Sequence, residues 1–155
     1  MRILALFVAL TVPSFGCLDE TVAECTQRYG RPISIDAASK TCTYRKDGLE
    51  IKVRFRDAKA VALWICHARK DTNGKPIEQL SETEIGTLLE ANSGGSEWVH
   101  PATVDKSEGS KTADGKRIAH ILAHLQIILI TKEEKDKAAA EKKAAGERQN
   151  AEPQK

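Results

Sequence analysis

The stretch from Thr41 to Ala68 constrains the fold more than any other part of the chain. Leu49, Ile51, Val53 and Phe55 alternate with Glu50, Lys52 and Arg54. A strict period of two marks a strand with one buried face. Asp47-Gly48 immediately precedes it. That pair signals a two-residue hairpin turn, because both central residues of such a turn take positive φ. The stretch therefore reads as three antiparallel strands, with Arg56 to Lys59 making a second, weaker turn.

The turns predict the register. A loop at Asp47-Gly48 pairs Lys46 with Leu49, Tyr44 with Ile51 and Cys42 with Val53. A loop at Asp57-Ala58 puts Ala60 opposite Phe55, Ala62 opposite Val53, Trp64 opposite Ile51 and Cys66 opposite Leu49. All the larger apolar residues of the first two strands then share a face with Ala60, Ala62, Trp64 and Cys66. A slip of one residue would turn a whole strand over. Val61, Leu63 and Ile65 fall on the other face, so the third strand is apolar on both sides. Such a strand lies inside a sheet, and the C-terminal half is expected to cover it or pair beside it.

Two helices flank the meander. Over 18–30, Leu18, Val22, Cys25 and Tyr29 form one stripe; Asp19 or Thr21 can cap it, and Gly30-Arg31-Pro32 ends it. Over 80–95, Ser81 and Glu84 form a capping box, Leu80 and Ile85 stand as a hydrophobic staple, and Gly94-Gly95 is the stop. Residues 70–79 and 96–116 are rich in turn formers, with Trp98 and Val99 the main apolar anchors of the second segment. Residues 117–131 fit a helical period. Yet β-branched residues crowd 127–131 and Asp114-Gly115 precedes the run, which favours two further short strands. Residues 132–155 hold seven basic and six acidic residues and no large apolar one, so they read as a charged tail, helical or disordered. The expected fold is a single α+β domain over 17–131, with a short N-terminal helix on an antiparallel meander, a second helix and further short strands.

The first sixteen residues read as a signal peptide: Met1-Arg2, a run to Val12 that is apolar but for Thr11, then Pro13-Ser14-Phe15-Gly16. The apolar run is too short to cross a bilayer, which takes roughly 20 residues. A cut after Gly16 makes Cys17 the first mature residue and places the protein in the periplasm or outside the cell. Lipoproteins are also cut before a cysteine, so a membrane tether through Cys17 is the alternative, although Ser14 and Phe15 fit that signal poorly. Four cysteines remain after the cut: Cys17, Cys25, Cys42 and Cys66. An even number in an exported chain points to two disulfides. Outer strands of a meander stand about 10 Å apart, and a disulfide needs Cα atoms within about 7 Å. Cys42 with Cys66 is thus disfavoured. The expected pattern joins Cys25 to one of these two and Cys17 to the other.

Patterns for catalysis are sparse. The net charge of +2 gives no nucleic-acid footprint. No phosphate loop, nucleotide fingerprint or serine elbow occurs, so no cofactor and no catalytic residue is assigned. His120 and His124 would share a helix face and are weak metal candidates; on a strand they stand roughly 13 Å apart, too far for one ion. Cys66-His67 point to opposite faces of a strand and do not form a nucleophile–base pair. Trp98 follows Gly-Gly-Ser and either plugs the domain or offers a partner surface.

AECTQRYGRP followed by TYRKDGLEIKVRFRDAKAVALWI resembles small exported bacterial proteins of uncharacterised role, distantly like the small outer-membrane assembly lipoproteins and the β-lactamase-inhibitor-like modules. The likeness covers 18–68 and departs from the pattern at Ala58, where a turn glycine is expected. It implies a non-enzymatic α+β scaffold that binds another envelope or secreted protein, and it assigns no functional residue. The sequence therefore predicts an exported protein-interaction or envelope-structural module. The alternatives are a small metal-binding protein or hydrolase using His100, His120 and His124, or a secreted enzyme inhibitor presenting the 96–116 loop.

Overall fold

The computed structural model describes residues 15–100 and 109–151. Residues 1–14 of the 1–16 signal-peptide reading and the centre of the 96–116 loop lie outside them. The fold is α+β. Helix α1 (Val22–Tyr29) is followed by strands β1 (Ser34–Asp36), β2 (Thr41–Lys46), β3 (Leu49–Arg56) and β4 (Lys59–His67). Helix α2 (Glu82–Ala91) comes next. Strands β5 (Trp98–Val99), β6 (Ser110–Thr112), β7 (Arg117–Leu122) and β8 (Gln126–Thr131) lead into helix α3 (Lys132–Ala151). The strands form one antiparallel sheet in the order β1-β2-β3-β4-β8-β7-β6-β5. β4, apolar on both faces in sequence, indeed lies inside it, between β3 and β8. Residues 117–131 form the two strands favoured above.

Local chemistry explains both caps. Thr21 and Glu24 make a reciprocal capping box at α1, and Ser81 and Glu84 make one at α2. Cys25 and Tyr29 of α1 and Ile85, Leu88 and Leu89 of α2 bury against Tyr44, Ile51, Val53, Leu63, Ile65, Ile127 and Leu129 of the sheet. Both helices therefore cover one face. Val22 departs from the expected α1 stripe and is exposed.

The first hairpin has the predicted register, with Lys46 on Leu49, Tyr44 on Ile51 and Cys42 on Val53. The second departs from it. Ala60 does face Phe55, but an irregularity between Arg54 and Phe55 then shifts the pairing. Ala62 faces Arg54, Trp64 faces Lys52 and Cys66 faces Glu50. A bulge adds one residue to one strand and so reverses every side chain beyond it. Leu63 and Ile65 consequently enter the core, fully buried, while Ala62, Trp64 and Cys66 move to the outer face.

The charged tail begins as helix and is seated on β3 by Glu134, with Glu141 adding a second ion pair to Arg56 at 3.1 Å. Glu134 is 1% exposed. Its carboxylate lies 2.7 Å from Arg56 Nε and 3.7 Å from Arg54 Nη1. Thr131 Oγ1 accepts from the Glu134 amide at 3.3 Å. From Ala138 to Glu147 every residue is exposed.

Candidate functional site

Two arrangements bring together chemistry-bearing side chains, one on each face of the sheet. The outer face carries a groove of about 530 Å³, floored by Lys52, Arg54, Trp64 and Cys66 and bordered by Ser39, Thr41 and Thr43. The 70–76 loop forms one wall. Asp71 shapes that loop by accepting from the amides of Asn73 and Lys75 at 2.8 and 2.9 Å, and Lys70 pairs with Glu50. The Arg54 guanidinium lies 5.4 Å from the Trp64 ring centroid, a cation–π distance. Arg54 Nε is buried and makes no hydrogen bond among the described residues. Five cations (Arg45, Lys52, Arg54, Arg56, Lys70) stand against three carboxylates (Glu50, Glu134, Glu141) on or beside this face. Burial pushes the Cys66 thiol up from its usual range, with Lys70 opposing.

The inner face holds the other three cysteines. Cys17 and Cys25 are all but inaccessible and Cys42 is buried. A hydrogen bond to Cys25, followed by burial, holds the Cys17 thiol protonated far above its usual range. Burial, and then the nearby Cys17 thiol, raise the Tyr29 phenol too. Cys42 is raised chiefly by burial, with the nearby Cys25 adding to it, and burial pushes Tyr44 up to about 12. All four cysteines are thiols. The expectation that Cys66 pairs with Cys17 or Cys25 fails, because the bulge puts Cys66 across the sheet from them.

A polar hub fixes the N-terminal segment beside this cluster. Asn92, fully buried, follows α2. Its Oδ1 accepts from the Cys17 amide at 3.2 Å, and its Nδ2 donates to the Leu88 and Phe15 carbonyls at 2.9 and 3.4 Å. Arg117 donates to the Asn92 carbonyl at 2.8 Å and to Asp19 at 2.6 Å. Gly94 leaves room for that guanidinium, since a Cβ there would stand 2.6 Å from Arg117 Cζ. Nothing in the spacing of Asn92, Arg117 and Asp19 marks them as partners; sequence reasoning passed over Asn92 and Arg117 and took Asp19 for a helix cap, whereas it pairs with Arg117.

The remaining candidates are dispersed. His120 lies in β7 opposite Ile128, with burial lowering its pKa. His124 lies in the following turn at φ +58°, 3.4 Å from Glu82. Among the described residues no three His, Cys, Asp or Glu side chains are gathered to hold a metal ion. His100 Nδ1 is 2.8 Å from Ser110 Oγ. Trp98 packs partly buried against the core, and its indole N–H donates to the Leu89 carbonyl at 2.7 Å. It plugs the end of α2. Among the described residues, no helix is long and apolar enough to cross a membrane.

No protein-family model and no curated protein matches the chain. Among solved structures, it is similar to a crystal structure of a cysteine-rich secretory protein from Staphylococcus aureus subsp. aureus Mu50. The TM-score is 0.44 with 9% identity, over 75% of this chain and 45% of that one. The chain thus spans less than half of that protein's length.

Proposed function

We propose that this chain is an exported, non-catalytic module that binds an acidic segment of another envelope or secreted protein along the outer face of its sheet. The observation that carries this reading is the Arg54–Trp64 stack on the floor of an accessible groove. A guanidinium held on an aromatic ring loses little freedom on meeting a carboxylate, and Arg and Trp are the residues that dominate binding energy at interfaces. Lys52 and the hydroxyls of Thr43 and Ser39 extend the same surface. The excess of cations over carboxylates selects an acidic partner.

The test is site-specific photocrosslinking in cells, with the reactive group placed at Lys52 or, as control, at Glu90 on α2. The expected result is an adduct at 52 and none at 90. It should weaken with salt, and its crosslinked peptide should be acidic by mass spectrometry. Equal adducts at both positions, or a basic crosslinked segment, would overturn the reading.

Export also bears on the cysteines. We infer that Cys17 and Cys25 are the pair that oxidises in the exported protein. Their shared burial, and the strong influence of the Cys25 thiol on Cys17, support this. Cys17, buried on the inner face, then serves as a staple near the start of the folded body.

A further inference from the structure

We propose that the leader is removed between residue 14 and Phe15, so that the mature protein begins Phe15-Gly16-Cys17. This rests on the export reading above. Phe15 belongs to the folded body. Its carbonyl accepts from the Tyr29 hydroxyl at 2.6 Å and from Asn92 Nδ2 at 3.4 Å. Its ring packs against the core, with Lys46 Nζ 5.9 Å from the centroid. Gly16 is fitted to the end of α2: a Cβ there would stand 1.8 Å from the Ala91 carbonyl oxygen. Cys17 then donates its amide to Asn92 Oδ1 at 3.2 Å.

A cut after Gly16 would undo this. Tyr29 and Asn92, both buried, would each lose an acceptor, and the Cys17 amide would become an ammonium beside the buried Asn92 side chain. A buried donor left without its partner is costly, and a charge in such a place more so. A cut after Ser14 keeps every one of these contacts. Ser14 is itself a small residue of the kind that precedes a cleavage site. In the step, a signal peptidase adds water across the 14–15 peptide bond, leaving a carboxylate on Ser14 and an ammonium on Phe15. Cys17 is then the third residue, its nitrogen still in a peptide bond. It lacks the free amino terminus that a lipoprotein cysteine has after its leader is cut away.

The experiment is to express the full precursor with its own leader, purify the protein from the envelope or medium, and determine its intact mass and N-terminal sequence. The expected sequence is Phe-Gly-Cys-Leu. A start at any other residue overturns the proposal. A start at Cys17, acylated or not, does so while leaving export standing; an uncut chain starting at Met1 overturns the export reading as well.

Discussion

Ala58 sits at φ +62°, with Asp57 before it at +50°. These are the positive values that a two-residue hairpin turn demands, and a Cβ makes them costly, by about 1–2 kcal/mol for an ordinary residue. Gly48 fills the same place in the first hairpin without that strain, at φ +79°. Ala58→Gly should therefore raise stability by about 0.5–1 kcal/mol, the relief of strain being partly offset by the freedom glycine gains when unfolded. The urea midpoint should rise with an unchanged slope; a lower midpoint would show the turn is not strained. Asn92 carries the opposite expectation. Asn92→Leu keeps the branched four-atom outline of the side chain but leaves the buried Cys17 amide without an acceptor and the Leu88 carbonyl without this donor. A loss of about 2–3 kcal/mol is expected. A variant with the wild-type urea midpoint would remove Asn92 from its place as the hub.

The capping carboxylates belong to the scale of the elements. Glu24 and Glu84 are both held below the ordinary glutamate value of 4.5, first by hydrogen bonds from the backbone of their own caps. A carboxylate whose folded pKa is depressed contributes stability that is present above its unfolded pKa and lost as pH falls through the folded one. Stability should therefore decline below about pH 4.5. The decline should be shallower in the Glu24→Gln, Glu84→Gln double variant, measured by urea unfolding between pH 7 and 3. An identical pH profile would separate the caps from acid sensitivity. The Ser81–Glu84 box was legible in the sequence, because it is a contact across three residues; at α1 the sequence left Asp19 and Thr21 as rival caps, and the structure assigns Thr21 with Glu24. The first hairpin was legible too, because its Asp-Gly turn specifies its own register. The second hairpin was not. A bulge leaves no local mark in RFRDAK, and a single inserted residue exchanged the two faces of β4. β1 is three residues long and exposed, too short for any periodicity to show. The seat of α3 was missed for a related reason: a buried glutamate among lysines, glutamates and alanines looks like its neighbours until Arg54 and Arg56 are placed beside it. Glu134→Gln should loosen that helix, leaving the Arg56–Glu141 pair to tie it to β3, and lower stability by about 1–2 kcal/mol, because both arginines still reach water. Limited trypsin digestion should then cut within 132–143 faster than in wild type; equal rates would show that the helix is held in another way.

At the scale of the whole molecule, the sheet divides the cysteines three to one. Cys17, Cys25 and Cys42 bury on the helix-covered face, while Cys66 faces Glu50 on the other. An even count over the chain suggests two bridges, but three thiols on one side and one on the other allow a single internal bridge. Cys17 with Cys25 is the pair in which the neighbouring thiol is the largest influence holding Cys17 protonated. Oxidation by a disulfide-carrying thiol oxidoreductase moves two electrons: the two thiols lose two hydrogens and the carrier disulfide becomes two thiols. The short loop so closed should stabilise by about 2–3 kcal/mol. The expected mass of the oxidised, exported protein therefore rises by two hydrogens on reduction. Alkylation after unfolding without reductant should label Cys42 and Cys66 alone. A rise of four hydrogens, or a peptide linking Cys66 to any inner cysteine, would mean that β4 does not carry the bulge, and the assignment of Trp64 and Arg54 to one accessible face would fall with it.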